Sequence, residues 1–121
     1  MLMRPKDPVP QEERVGVVYR IPCRDCTKTY VGQSGRTLAM RLKEHQRAVR
    51  NGDVNASAIA EHVWNEQHRM DWSAAEVVDS EQYLYPRLLL ESWHIHSEQN
   101  PMNRERGSLP TEYCSLIKRP L

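Results

Sequence analysis

Two cysteines and two histidines have the residue types and spacing of a metal site. Cys23 and Cys26 are separated by two residues, and His62 and His68 follow them further along the chain. Thiolate sulfur and imidazole nitrogen are the ligands that structural zinc prefers, and two of each make a closed tetrahedral set. The Cys-x-x-Cys half is a sound signal, and the histidine half is weaker because its spacing is looser than usual. The sequence therefore predicts a structural Zn²⁺ ion at these four residues.

Other interpretations of these residues remain open. A Cys-x-x-Cys pair can be a thiol redox pair, but that motif follows a strand and opens a helix. Here the pair lies between two short apolar runs and directly follows Pro22. The two histidines could also be unrelated to the cysteines. Competing ligands are His45, His94 and His96, with Cys114 as a poor fourth.

A second set of polar side chains combines phenol, guanidinium, imidazole and carboxylate groups. Its members are Tyr19, Tyr30, Arg41, His45 and Glu91. Such groups can transfer protons, stabilise negative charge and bind a metal ion. A tyrosine is a poor base at pH 7 and needs help from a neighbour.

Each of these residues has a plainer interpretation. Arg41 could extend to solvent, and His45 could be a satisfied residue at the core boundary. Glu91 lies on the same predicted helical stripe as Leu88 and Ile95, where a carboxylate is costly unless it is paired or binds a metal. None of the residues identifies a function alone.

The elements that would position these residues predict an α/β fold. We expect a small, largely antiparallel three-stranded sheet with helices beside it. Alternation places Val17, Tyr19 and Ile21 on one face of the first strand. The cysteines fall in the connection between the first two strands. The predicted strands are 16–21, 29–33 and 73–79, and the predicted helices are 36–50, 57–66 and 86–98.

Local signals refine the helices. Asn51-Gly52 should stop the first, with the glycine in a left-handed cap, and Ser57 should cap the second. His62 and His68 converge only if the second helix unwinds near 65–67. Leu89 and Trp93 lie opposite the Leu88–Ile95 stripe of the third helix, so we expect that helix to be covered on two sides.

Length and charge limit the remaining choices. A chain of 121 residues predicts one domain, with residues 1–13 as a proline-rich linker or domain edge and 14–121 as the domain. No apolar run approaches the ~20 residues that span a membrane, and no secretory signal opens the chain. Net charge is only +1, yet helix 36–50 carries five basic and one acidic side chain. This distribution predicts contacts to a DNA backbone from Arg36, Arg41, Lys43, Arg47 and Arg50.

The order of these motifs resembles the GIY-YIG nuclease domain. Gly16-Val17-Val18-Tyr19 stands for the first motif, with one extra residue, and Tyr30-Val31-Gly32 stands for the second. Arg41-x-x-x-His45 and a helical Glu91 follow. The paired cysteines between the motifs and the later histidine pair look like the endonuclease domain of Penelope-like retroelements. So do the stretches YVGQSGRTLAMRLKEH and SAIAEH, and Asn103-Arg104-x-x-Gly107 with Leu109-Pro110.

The resemblance implies roles for individual residues. Tyr19 would act as the base or orient the attacking water, and His45 would position its hydroxyl. Tyr30 and Arg41 would hold the scissile phosphate. Glu91 would bind one catalytic Mg²⁺ or Mn²⁺ ion, and Asn103 would support the site.

The resemblance also implies a biological setting. The chain would be a DNA endonuclease, nicking its target during retroelement integration, fused to a reverse transcriptase and located in the nucleus. One alternative is a catalytically inactive, zinc-stabilised nucleic-acid-binding module. Another is a zinc-dependent protein-interaction domain.

Overall fold

The structure, a computed structural model, describes residues 9–104. Its ordered elements are strands β1 (Val17–Pro22), β2 (Thr29–Ser34) and β3 (Glu76–Ser80) and helices α1 (Leu38–Asn51), α2 (Ala58–Glu66) and α3 (Leu84–Ser97). This confirms the α/β class, with a three-stranded antiparallel sheet and three helices. The predictions that concern Gly107, Leu109, Pro110 and Cys114 lie outside the described residues. No helix within 9–104 combines the length and apolar character needed to cross a membrane.

The first strand is the centre of the sheet. The strand order is β2-β1-β3, and β1 pairs antiparallel with both neighbours. Tyr19 lies directly opposite Gly32 in the pairing with β2. The pairing with β3 has an irregular register between Val18 and Tyr19. A central strand is fully hydrogen-bonded and buried, so its side chains are fixed for any role in a site.

Side-chain alternation along β1 divides the core into two parts. Val17, Tyr19 and Ile21 pack with Leu38 and Ile59, on the side of α1 and α2. Val18 points the other way and packs with Val31 and Ile95, on the side of α3. The predicted face of β1 is therefore confirmed, and helices cover both sides of the sheet.

Amide side chains extend the hydrogen bonding at both edges of the sheet. On the β2 edge, Asn103 Oδ1 accepts from the Val31 N–H at 3.0 Å, and its Nδ2 donates to the Val31 carbonyl at 2.7 Å. On the β3 edge, Gln11 Oε1 accepts from the Val77 N–H, and Gln11 Nε2 donates to the Ala75 carbonyl. These contacts satisfy backbone groups that an open edge would expose. Folded structure therefore extends into the segment predicted to be a linker.

The helix caps follow the predicted chemistry. The Ser57 side chain accepts from the Ala60 N–H at the start of α2, and Gly52 ends α1 with φ of 69°. Thr37 caps α1 in the same way by accepting from Met40. Arg36 therefore lies before α1 rather than inside it, which corrects the predicted helix start.

Two other predictions need correction. Residues Trp72–Ala74 form a 3₁₀ turn rather than the start of β3, and Ser73 Oγ donates to Asp71 Oδ1 at 2.8 Å within it. Short polar side chains favour such local bonds over strand pairing. Helix α3 is covered mainly on one side, because Leu89 and Trp93 are 41% and 37% exposed.

Candidate functional site

The four predicted metal ligands come together at the tip of the β1–β2 hairpin. Their ligand atoms all lie within 4.8 Å of one another. His62 Nε2 is 3.3 Å from Cys23 Sγ and 3.5 Å from Cys26 Sγ. His68 Nδ1 is 3.6 Å from Cys23 Sγ and 3.2 Å from His62 Nε2. Zinc bonds of about 2.3 Å to sulfur and 2.0–2.1 Å to nitrogen give tetrahedral edges of about 3.3–3.8 Å. The cluster therefore could hold a metal ion such as zinc.

The backbone around the cysteines orients both sulfur atoms. The Asp25 N–H points to Cys23 Sγ and the Lys28 N–H points to Cys26 Sγ, each at 3.4 Å. Asp25 itself accepts from the Arg69 N–H at 2.7 Å, beside His68. Such N–H contacts favour thiolate sulfur and fix ligand direction. The hairpin tip is thus tied to the segment that carries the second histidine.

The end of α2 explains how two histidines six positions apart can meet. The helix ends at Glu66, and Gln67 takes a left-handed conformation with φ of 57°. This reverses the chain and returns His68 toward His62, whose ring centroid is 5.0 Å away. The condition for their convergence is therefore met at Gln67, directly after the helix ends. Two of the predicted competitors have other partners: His45 contacts Tyr19, and His94 contacts Asp79 Oδ2 at 3.1 Å.

A second group of polar residues surrounds Tyr19, which is fully buried. Its hydroxyl lies 2.8 Å from His45 Nε2. The rings of Tyr19, Tyr30 and His45 form a compact cluster, with centroid separations of 6.4, 5.9 and 5.2 Å. Sequence alone favoured a satisfied boundary role for His45, and the residue is instead 6% exposed against a buried tyrosine.

Gly32 allows this cluster to form. A Cβ on Gly32 would lie 2.6 Å from Tyr19 Cζ and 2.9 Å from Tyr30 Cε2, both far inside van der Waals contact. The Tyr19 ring therefore crosses the opposite strand at the one residue that has no side chain. The glycine in Tyr30-Val31-Gly32 is thus explained by packing around the two tyrosines.

Burial sets the protonation states of the Tyr19–His45 pair. Burial raises the pKa of Tyr19 well above its ordinary value, and the nearby Tyr30 adds to this, while Arg41 acts in the opposite direction. Burial also lowers the pKa of His45 to about 4, helped by the positive charge of Arg41. Both groups are therefore neutral at pH 7. In the tautomer whose Nε2 carries no proton, Tyr19 donates its hydroxyl proton to His45 Nε2.

One cavity of about 840 Å³ lies beside this cluster, between α1 and α3. Tyr30, Arg41, His45, Glu91 and Asn103 line it, so the structure brings five of the six predicted catalytic residues to one cavity. Tyr19 does not line the cavity itself, but it contacts His45 and packs beside Tyr30, which do. The catalytic roles of these residues stay predictions.

Glu91 projects from α3 into the cavity. Burial raises its pKa to about 7, although the charges of Arg41 and Arg87 oppose this. An ionised carboxylate in that position lacks full solvation, and a bound cation would supply the missing compensation. Three other carboxylates of this half of the chain have other partners: Glu76 and Glu98 contact Arg20, and Glu81 Oε2 accepts from the Tyr83 N–H.

Asn103 supports the site through the backbone. Both polar atoms of its side chain are bonded to Val31, which follows Tyr30 directly. The side chain also borders the cavity. The neighbouring Asn100, which could be confused with it in sequence, instead donates through Nδ2 to Thr27 Oγ1.

The predicted DNA-binding residues do not share one surface. Arg41 borders the cavity, as do Glu44, His45 and Ala48 of the same helix. At 100° per residue, Lys43, Arg47 and Arg50 lie on the opposite side of α1, where all three are exposed. Their contact with DNA stays a prediction, and a phosphate inside the cavity would be out of their reach.

Three charged residues near the cavity were missed by the sequence analysis. Arg87 is buried, and it donates to Gln33 Oε1 at 2.7 Å and to the carbonyls of Glu81 and Gln82. The Glu44 carboxylate accepts hydrogen bonds from the guanidinium groups of Arg36 and Arg41. Arg104 lines the cavity. Arg87 could have been found, since it precedes Glu91 by four residues and so lies on the same helix face.

Comparison with known proteins adds no relative. No protein-family model, curated protein or solved structure matches the chain. The resemblance to GIY-YIG nucleases therefore rests on the residues given above.

Proposed function

We propose that the chain is a metal-dependent DNA endonuclease that hydrolyses a phosphodiester in the cavity between α1 and α3. The observation that carries the proposal is the Tyr19–His45 hydrogen bond at 2.8 Å, beside a cavity that Arg41 and Glu91 also line. A proton acceptor, a fixed cation and a buried carboxylate are the three groups that phosphodiester hydrolysis needs. Simple binding of DNA would need only the cation, whereas a proton acceptor and a carboxylate beside it suit hydrolysis.

The chain's own residues account for the proton transfer. A water molecule that attacks phosphorus would give its proton to the Tyr19 oxygen, once DNA binding exposes that oxygen to the cavity, as Tyr19 passes its own proton to His45 Nε2. His45 is a weak base in the free protein because its pKa is about 4. A phosphate bound in the cavity brings negative charge near the ring and favours the protonated imidazole. Substrate binding would therefore make His45 a stronger base.

Arg41 and Tyr30 would hold the scissile phosphate. The guanidinium of Arg41 stays charged at all relevant pH values and can donate two parallel hydrogen bonds to phosphate oxygens. Tyr30 has a raised pKa because of burial, so its hydroxyl remains a donor. Both groups stabilise negative charge that grows on the phosphate as the new bond forms.

Glu91 is the residue that would hold the catalytic cation. Mg²⁺ keeps most of its water ligands and needs only one or two carboxylates from the protein, which suits a single glutamate in a roomy cavity. When bound, the ion would polarise the phosphate and stabilise the leaving oxygen.

We further propose that the Cys23, Cys26, His62 and His68 cluster binds Zn²⁺ for structural purposes. Four protein ligands leave no position for a water molecule, which is typical of structural and not catalytic zinc. The cluster ties the hairpin tip to α2, so zinc would hold together the two segments that flank α1.

A paired assay tests the proposed activity. Purified, zinc-loaded protein is incubated with supercoiled plasmid, with and without Mg²⁺, and the same preparation is used in a gel shift. Wild type should nick only with Mg²⁺. Glu91→Gln should bind DNA as well as wild type and not nick, whereas Arg41→Ala should lose both. Nicking by Glu91→Gln at the wild-type rate would exclude Glu91 from the site.

The same assay separates the alternatives. Salt-dependent DNA binding without any nicking by wild type would favour the inactive nucleic-acid-binding module. Absence of DNA binding would favour the protein-interaction domain. The fusion to a reverse transcriptase, the role in retroelement integration and the nuclear location follow only from the resemblance and stay predictions.

A further inference from the structure

Two arginines converge on one carboxylate at the edge of the cavity. Arg36 Nη1 lies 2.6 Å from Glu44 Oε2, and Arg36 Nη2 lies 2.7 Å from Glu44 Oε1. Arg41 Nη1 lies 2.9 Å from the same Oε1. Glu44 thus receives three short charge-assisted contacts from two guanidinium groups. Nothing in the proposed mechanism uses this carboxylate.

Local structure explains the convergence. Thr37 caps α1, so Arg36 precedes the helix and its side chain can turn back along the first two turns. Arg41 and Glu44 are three positions apart in α1 and so lie on one face. That face also carries His45, and both Arg41 and Glu44 line the cavity. Arg41 and Glu44 therefore both face the cavity in which a scissile phosphate would bind.

A carboxylate held by two guanidinium groups has the partners that proteins use to bind a phosphate. Arginine matches two oxygens of a phosphate as well as two oxygens of a carboxylate. The two arginines also hold the pKa of Glu44 down to about 2, so its charge persists throughout the neutral range. A phosphate that approaches Arg41 must therefore compete with a permanent negative charge.

We propose that Arg36 and Arg41 form a two-arginine clamp for one phosphate group of the nucleic-acid backbone, which Glu44 occupies until the phosphate displaces it. This inference rests on the proposed function, because the phosphate is the one held beside Tyr19 and His45. It adds Arg36 to the phosphate site and makes Glu44 an internal competitor that lowers affinity.

Exposure makes the exchange easy. The side chains of Arg36, Arg41 and Glu44 are 52%, 32% and 37% exposed. Ion pairs at such positions contribute little because water and salt screen them. Displacement of Glu44 therefore costs little, and the arginines are held in position for the phosphate before it arrives.

Binding measurements on Glu44→Gln test the clamp. The first probe is a short fluorescent DNA duplex without added divalent metal, and the second is inorganic phosphate as a competitor at matched ionic strength. We expect Kd for the duplex to fall by about threefold to tenfold, since two exposed ion pairs are released. Inorganic phosphate should also compete at a lower concentration than against wild type.

Two control variants separate the clamp from general charge repulsion. Glu76→Gln removes an equally charged, ion-paired glutamate that contacts Arg20 and does not line the cavity. It should change Kd by less than about twofold, because Glu76 lies outside the cavity and salt screens its charge from a phosphate bound there. In an Arg36→Gln background, the gain from Glu44→Gln should fall by at least half. The melting temperature of each variant checks its fold.

The outcomes are decisive. Tighter binding of both probes that depends on Arg36 supports the clamp, even if no preparation nicks DNA and the proposed endonuclease activity fails. If the protein binds no DNA, direct binding of inorganic phosphate, measured by titration calorimetry on wild type and Glu44→Gln, tests the clamp instead. Unchanged or weaker binding by Glu44→Gln overturns it. The clamp is also overturned if Glu76→Gln raises the affinity for the duplex as much as Glu44→Gln does, or if the rise does not depend on Arg36. The same holds if Glu44→Gln raises the affinity for the duplex but not the affinity for inorganic phosphate.

Discussion

The hydroxyl of Tyr19 lies 2.8 Å from Nε2 of His45, and the pair joins the central strand to the first helix. Both side chains are almost fully shielded from solvent, at 0% and 6% exposure. A buried hydroxyl and a buried imidazole satisfy each other, so removal of either leaves a polar atom without a partner. The same bond that stabilises the core thus offers a route for a proton at the cavity.

Replacement of Tyr19 with phenylalanine should separate these two effects. We expect cleavage to fall by about 10²–10⁴-fold, the usual contribution of a positioned acid or base. The free energy of unfolding should fall by only about 1–3 kcal/mol, because one buried acceptor on His45 is left unpaired. Plasmid nicking and urea unfolding measure the two quantities.

The control is Tyr83→Phe, at an exposed tyrosine, which should change neither nicking nor the free energy of unfolding. A Tyr19→Phe protein with more than about a tenth of wild-type activity would contradict the role, given that contribution.

Removal of zinc should loosen the fold. Cys23→Ser removes one ligand, and we expect a large fall in melting temperature together with loss of bound zinc, measured by elemental analysis. The matched control is Asp25→Asn, which lies between the two cysteines but is not part of the ligand cluster. It should keep the metal. Wild-type protein purified without zinc, yet equally stable, would argue against the site.

The sequence predicted most of what depends on spacing. The strand pair, the caps at Ser57 and Gly52, and the return of the chain after Glu66 follow from local chemistry, and all are present. The convergence of the four metal ligands was predicted from their residue types together with the Cys-x-x-Cys spacing. The third strand was predicted to begin at residue 73, whereas it begins at Glu76. The apolar residues Trp72 and Ala74 suit a strand, but a hydrogen bond from Ser73 to Asp71 stabilises a turn there.

Contacts between distant residues could not be predicted in this way. The Asn103 side chain completes the edge of β2 through Val31, and Gln11 completes the edge of β3 through Val77. Neither contact has a periodic signal, because each joins residues more than sixty positions apart. The Arg36–Glu44 pair was missed for another reason: Arg36 was assigned to the helix, and its return along α1 depends on the cap at Thr37.

Glu91 should make stability depend on pH. Burial raises the pKa of its carboxyl from 4.5 to about 7, so the folded protein binds a proton that the unfolded chain releases between these values. The free energy of unfolding contributed by this group therefore falls as pH rises through that window. Glu91→Gln removes the cost of ionisation. It should stabilise the protein at pH 8 by an amount on the order of 1–3 kcal/mol and change little at pH 5.

Thermal unfolding at the two pH values, without added Mg²⁺, measures this effect. Loss of zinc at low pH would lower the melting temperature of both proteins, so only their difference is compared. An equal difference at pH 5 and pH 8 would mean that the Glu91 carboxyl is not desolvated. Added Mg²⁺ should narrow the gap at pH 8, because wild type can bind the ion and Glu91→Gln cannot.

Gly32, the glycine of β2, should not tolerate a side chain. A Cβ there would collide with the rings of both Tyr19 and Tyr30, which are held by the core and cannot move independently. Gly32→Ala must therefore displace Tyr19 from His45, and we expect loss of about 1–3 kcal/mol of stability from overpacking together with loss of nicking. Gly35→Ala is the matched control, since its Cβ meets only the Arg87 guanidinium, at 3.3 Å. It should cost less stability and keep activity. A folded Gly32→Ala protein that nicks at the wild-type rate would show that the Tyr19 hydroxyl need not lie where the structure places it.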